Sequence, residues 1–138
     1  MAVESPARIA VLGAGPIGLE AALYARYLGY EVDLYERGRV AEHLLQWGHT
    51  RLFTPFAANA SPLGISALTA QDPTWTPPPA EAFMTGRELA ERYCLPLAQS
   101  DLLVDGIHEQ TEVLAVARGE LRKQELAGEE RAETDFRL

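Results

Sequence analysis

Residues 8–37 read RIAVLGAGPIGLEAALYARYLGYEVDLYER, and this stretch decides the expected fold. Residues 9–12 form a short apolar run of the kind found in a parallel strand buried on both faces, and the run stops at Gly13. Gly13, Gly15 and Gly18 then fill the three positions of G-x-G-x-x-G. Each glycine has its own task there. Gly13 permits the sharp exit from the strand, Gly15 lets backbone approach a phosphate, and Gly18 lets the following helix lie close to the sheet. Pro16 stands in the first helical turn, where a missing N–H costs little and a fixed φ favours initiation.

The spacing predicts a helix over 16–28 with Ile17, Ala21, Ala25 and Leu28 on its apolar face, Glu20 and Arg26 toward solvent, and Gly29 as its stop. A second strand follows over 30–35, with Val32 and Leu34 on one face and Glu36 at its end. The free N–H groups of such a helix start carry roughly half an elementary charge, which favours a diphosphate through both hydrogen bonds and field. Glu36 stands about where the unit needs an acidic residue to hold a ribose diol. Its charge disfavours a 2′-phosphate, while neighbouring Arg37 pulls the other way.

These residues resemble the N-terminal FAD-binding segment of two-dinucleotide-binding-domain flavoproteins, a superfamily that includes flavin-containing monooxygenases and thioredoxin-reductase-like enzymes. The resemblance rests on GAGPIGLEAALYARYLG, on the strand ending Tyr35-Glu36-Arg37, and on the later segment Thr111-Glu112-Val113-Leu114-Ala115-Val116. It implies an α/β, Rossmann-like three-layer nucleotide-binding fold with a parallel sheet, incomplete at the C-terminus. FAD is the implied cofactor, with NAD as the alternative. Gly13, Gly15, Pro16 and Ile17, with Gly18, are expected to frame the diphosphate, Glu36 to meet the ribose, Arg37 to belong to the cofactor site beside it, and Val113 to meet the adenine edge through its backbone. Two departures stand out. Relatives place a Gly-Gly pair soon after the acidic residue, where this chain has Gly38 alone, and they continue into a last strand with an Ala-Thr-Gly-like turn and a second nucleotide domain.

Length and composition predict one domain over 1–138, with a loop-rich excursion over 36–80 and a charged meander or tail over 118–138. The excursion carries Pro55, Pro62, Pro73 and the run Pro77-Pro78-Pro79, which reads as a stiff surface spacer. Trp47, His49, Arg51, Phe53, Phe56 and Asn59 in this stretch are candidates for lining a cleft or for pinning the loop to the core. Thr85 and Glu88 form a capping pair for a helix that carries Leu89, Ala90, Tyr93 and Cys94 and meets Pro96. A strand is predicted over 111–117, and another starts at 136–138.

The net charge of −8 argues against nucleic acid or an anionic membrane as the main partner. Neither a membrane-length apolar run nor a basic leader is evident, so a cytoplasmic setting is expected. Cys94 is the only cysteine, which removes dithiol chemistry from this chain and leaves a small apolar residue as its simplest role. His43, His49 and His108 lack metal-ligand spacing, and no catalytic side chain is named; His49, beside Trp47, is the one candidate for a substrate or flavin contact. Function reads as the FAD-binding domain of a flavin-dependent oxidoreductase using NAD(P)H, lacking its second nucleotide domain. The alternatives are a non-catalytic adenine-nucleotide module or a truncated domain whose first strand, left open at one edge, pairs with itself. The partners implied are a dinucleotide and either another copy or a further C-terminal domain.

Overall fold

A computed structural model describes residues 7–119 and 134–138. Strand β1 (Arg8–Leu12) leads through the glycine turn into helix α1 (Pro16–Tyr27), which returns the chain to β2 (Glu31–Tyr35). β1 and β2 pair in parallel from Arg8 opposite Glu31 to Leu12 opposite Tyr35. Strand β3 (Ile107–His108) extends the sheet on the far side of β2, giving the order β1-β2-β3 with all pairs parallel. This is a Rossmann-like arrangement.

Gly13 leaves the strand at φ +99°, a backbone that side chains rarely adopt, and so supplies the corner the sequence predicts. Helix α1 ends in the Schellman pattern: Gly29 at φ +93°, with Tyr30 N–H donating to Ala25 O at 3.1 Å and Gly29 N–H to Arg26 O at 3.0 Å. The helix turns a different face to the core from the one expected. Leu19, Ala22, Leu23 and Ala25 are buried, whereas Ile17, Ala21 and Leu28 are exposed. Glu20, expected in solvent, accepts a hydrogen bond from the Tyr93 hydroxyl and another from Ser61 N–H. Neighbouring elements decided this, because an apolar stripe in the sequence names a face without naming what will cover it.

The 36–80 stretch, expected to be loop-rich, carries helices α2 (Glu42–Gln46), α3 (Phe56–Asn59) and α4 (Pro62–Gln71). The prolines that suggested loop are helix starters in two of these. Pro62 opens α4 behind Ser61, whose hydroxyl accepts from Gly64 N–H at 2.8 Å, and Pro55 caps α3. Within the proline triplet, Pro78 is buried.

The capping box predicted at Thr85 and Glu88 is present and starts α5 (Gly86–Leu89). Pro96 does not end this helix. The chain widens into a π turn (Ala90–Cys94), with Leu95 N–H donating to Ala90 O, and continues as α6 (Leu95–Ala98). Widening relieves the clash between the proline ring and the preceding turn. Pro96 has no N–H to give the Arg92 carbonyl, and the indole N–H of Trp75 donates to that carbonyl at 3.0 Å. Trp75→Phe is therefore expected to cost about 1 kcal/mol, read as a lower urea midpoint at unchanged slope.

This helix brings Tyr93 and Cys94 into the core beside Phe56, which meets the Tyr93 ring edge-on at 5.6 Å. Burial pushes the Cys94 thiol up to about 12, with the Glu20 carboxylate adding to the shift. A thiol so placed is inert packing.

The sheet face away from α1 carries an ionic cluster. Asp33 accepts from Arg8 Nε at 2.7 Å and faces His108 Nε2 at 2.8 Å, while the His108 ring stacks on Tyr35 at 5.0 Å. The hydrogen bonds from His108 and then Arg8 hold the Asp33 carboxyl below the usual carboxylate range.

The strand expected over 111–117 is not formed as such. β3 lies earlier, Gln110 turns at φ 53°, residues 111–116 run outside any ladder, and only β4 (Ala117–Arg118) pairs, antiparallel to β5 (Phe136–Arg137). The left-handed turn at Gln110 interrupts the alternation that the sequence suggested. Residues 120–133 of the charged tail lie outside the described residues.

Candidate functional site

A cleft of about 820 Å³ opens where β1 and β2 end and α1 begins. That is the crevice at the carboxyl ends of the strands where open α/β sheets take their ligands. All eight residues singled out by sequence, Gly13, Gly15, Pro16, Ile17, Gly18, Glu36, Arg37 and Val113, line it. The parallel register explains why: Leu12 lies opposite Tyr35, so the glycine turn and Glu36 leave adjacent strands at the same level.

The three glycines separate by what a side chain would meet. A Cβ on Gly18 would stand 1.8 Å from Gly13 O, so this glycine is demanded by the helix-to-strand approach. A Cβ on Gly15 meets nothing within 4 Å and would project into open space, while its φ of −79° suits any residue. The fold therefore has no need of glycine at 15. Among the described residues, no acceptor faces the N–H of Gly15 or of Ile17. Pro16 between them has no N–H, and Leu19 N–H already donates to Gly15 O at 3.0 Å. Two unpaired amides beside an empty Cβ direction at a helix start form a cradle for an anion.

Glu36 is fixed by backbone. Its Oε2 accepts from Ala14 N–H and its Oε1 from Gly38 N–H, each at 2.8 Å. The carboxylate thus locks the glycine turn to the end of β2, and each oxygen keeps further lone-pair capacity for a hydroxyl in the cleft. Gly38, which sequence reasoning treated only as a departure, is half of this lock.

Residues 36–40 and 108–111 are clipped together beside the cleft. Glu36 N–H donates to His108 O, Thr111 N–H to Glu36 O and Gln110 N–H to Gly38 O, at 2.9 to 3.0 Å, and the Glu109 carboxylate accepts from Val40 N–H at 2.7 Å. The clip brings Val113 to the cleft without a strand. Ala41 sits at φ 59° and donates to Ala14 O at 2.9 Å, taking a backbone that glycine enters at lower cost. His43 and Gln46 of α2 also line the cleft, and nothing in their spacing announced it.

The six excursion residues proposed for a cleft lie elsewhere. Phe56 is in the core, and Trp47 packs over Gly86. The Asn59 amide donates to the Thr54 and Pro55 carbonyls, the Arg51 guanidinium donates to Phe83 O, and His49 and Phe53 are exposed. None of the six lines the cleft at the glycine turn. Among the described residues no His, Cys, Asp or Glu cluster has metal-binding geometry, and no helix is long and apolar enough to cross a membrane.

Fold and cleft together define a Rossmann-like nucleotide-binding unit. Residues 8–44 match the family model described as pyridine nucleotide-disulphide oxidoreductase, a match that runs from β1 into α2. It supports a nucleotide-binding domain of the type found in FAD/NAD(P)-binding oxidoreductases. No curated protein matches the chain.

Proposed function

We propose that this chain is the FAD-binding domain of a flavin-dependent oxidoreductase that draws on NAD(P)H. The observation that carries the reading is the pair of free amides at Gly15 and Ile17 beside an unfilled Cβ direction, in one cleft with the Glu36 carboxylate. In this reading Gly13, Gly15, Pro16, Ile17 and Gly18 frame the diphosphate, Glu36 holds the adenosine ribose with Arg37 beside it in the cleft, and the Val113 backbone meets the adenine. Bound flavin supplies the electron-transfer chemistry; the residues of this chain hold, orient and partly desolvate it. A cytoplasmic setting belongs to the same reading.

One observation favours a second reading, an adenine-nucleotide module without chemistry. The residues that line the cleft suit the ADP portion common to FAD and NAD, while His49, the one candidate for a flavin contact, and its neighbour Trp47 lie away from it.

Calorimetry with FAD, NAD and ADP-ribose separates the two. FAD binding tighter than NAD and ADP-ribose supports the first reading, NAD binding tighter than FAD supports the second, and no binding of any of the three refutes both. Glu36→Ala removes a charged acceptor from Ala14 and Gly38 as well as from the ribose. It is expected to weaken nucleotide binding by about 1.5–3 kcal/mol and to lower stability in the same preparation.

A further inference from the structure

Building on the nucleotide reading above, we propose that His43 and Gln46 bind the sugar or sugar-like chain attached to the second phosphate. They thereby make the cleft selective for a dinucleotide over a nucleoside triphosphate.

In that reading the glycine turn takes the diphosphate, and Glu36, Arg37 and Val113 surround the adenosine. α2 forms a further wall of the same cleft. Its start is tied to the turn, because Ala41 N–H donates to Ala14 O at 2.9 Å. Leu44 and Leu45 pack into the core. Glu42, His43 and Gln46 share the other face, within about 100° of arc, and all three line the cleft.

Of these three only Glu42 is committed. It accepts from Arg39 N–H at 3.1 Å and from Arg39 Nε at 3.0 Å, and its side chain stands against Gly38, at the adenosine end. His43 and Gln46 are exposed, and neither side chain has a hydrogen-bond partner among the described residues. The helical rise sets Gln46 roughly 6 Å beyond Glu42 along the axis, so the two uncommitted groups extend the cleft past the residue that touches Gly38.

Their chemistry names the ligand group. An imidazole and a carboxamide can each donate and accept, as an alcohol can, and neither carries a fixed charge. They suit a neutral polyol: the ribityl chain of FAD or the second ribose of NAD. A third phosphate fits poorly. Among the described residues lining the cleft, Arg37 is the one guanidinium and no lysine joins it, while the carboxylates of Glu36 and Glu112 outnumber it. An added anion would meet repulsion there without a charge-assisted donor to offset it.

Calorimetry with ADP, ATP, ADP-ribose and FAD tests the proposal on the parent chain and on a variant carrying His43→Ala and Gln46→Ala. In the parent, ADP-ribose and FAD should bind on the order of ten-fold tighter than ADP, and ATP should gain nothing over ADP. In the variant, ADP-ribose and FAD should each weaken about ten-fold, with ADP affinity and melting temperature unchanged. A role in shaping the turn would weaken all four together. That result, or unchanged FAD and ADP-ribose affinity in the variant, or ATP binding tighter than ADP-ribose in the parent, overturns the proposal and leaves the nucleotide site standing. A parent chain that binds none of the four overturns both.

Discussion

Gly15→Ala is expected to fold like the parent chain and to lose between about ten- and a hundred-fold in nucleotide affinity, the equivalent of one charge-assisted hydrogen bond at roughly 1.5–3 kcal/mol. The reason lies in what surrounds the site. Nothing within 4 Å opposes a Cβ there, and the backbone is already in a region open to every residue, so the folded state accepts the methyl group. The same methyl group occupies the space in front of the Gly15 and Ile17 amides, and an anion must then stand off from both. The measurement is a pair: melting temperature, expected to be unchanged, and calorimetric affinity for FAD and ADP-ribose, expected to fall together. Equal affinity in parent and variant would move the diphosphate away from this turn.

Gly18→Ala should act in the opposite manner. A Cβ 1.8 Å from Gly13 O cannot be accommodated by a side-chain adjustment, because the obstacle is backbone. Helix α1 must retreat from β1 and the corner must open. Overpacking of this kind costs about 1–3 kcal/mol and sometimes more, a drop on the order of 10 °C in melting temperature for a domain of this size. If Gly18→Ala melts with the parent, the close approach of α1 to the sheet is wrong. Together the two variants divide the fingerprint into a residue kept for the fold and a residue kept open for a ligand.

The Arg8–Asp33–His108 cluster shows how different parts of the chain meet on a face that sequence did not describe. His108 read as a packing or surface histidine, and Asp33 drew no attention within its strand. The parallel pairing of β2 with β3 sets His108 beside Tyr35, and its ring reaches Asp33.

The residues of 8–37 determined by themselves the strand, the corner, the helix limits, the second strand and the carboxylate. Each of these depends on local chemistry: a glycine that alone tolerates φ +99°, a proline suited to the first helical turn, an alternation that buries Val32 and Leu34. Tertiary structure decided what touches what. It covered Leu19 and Leu23 instead of Ile17 and Leu28, folded a proline-rich stretch into three helices, carried a helix through Pro96, and brought Val113 to the cleft by a clip of backbone hydrogen bonds. Periodicity reports that a face is apolar. Which partner covers it depends on elements tens of residues away, and that information exists only once the chain has closed on itself.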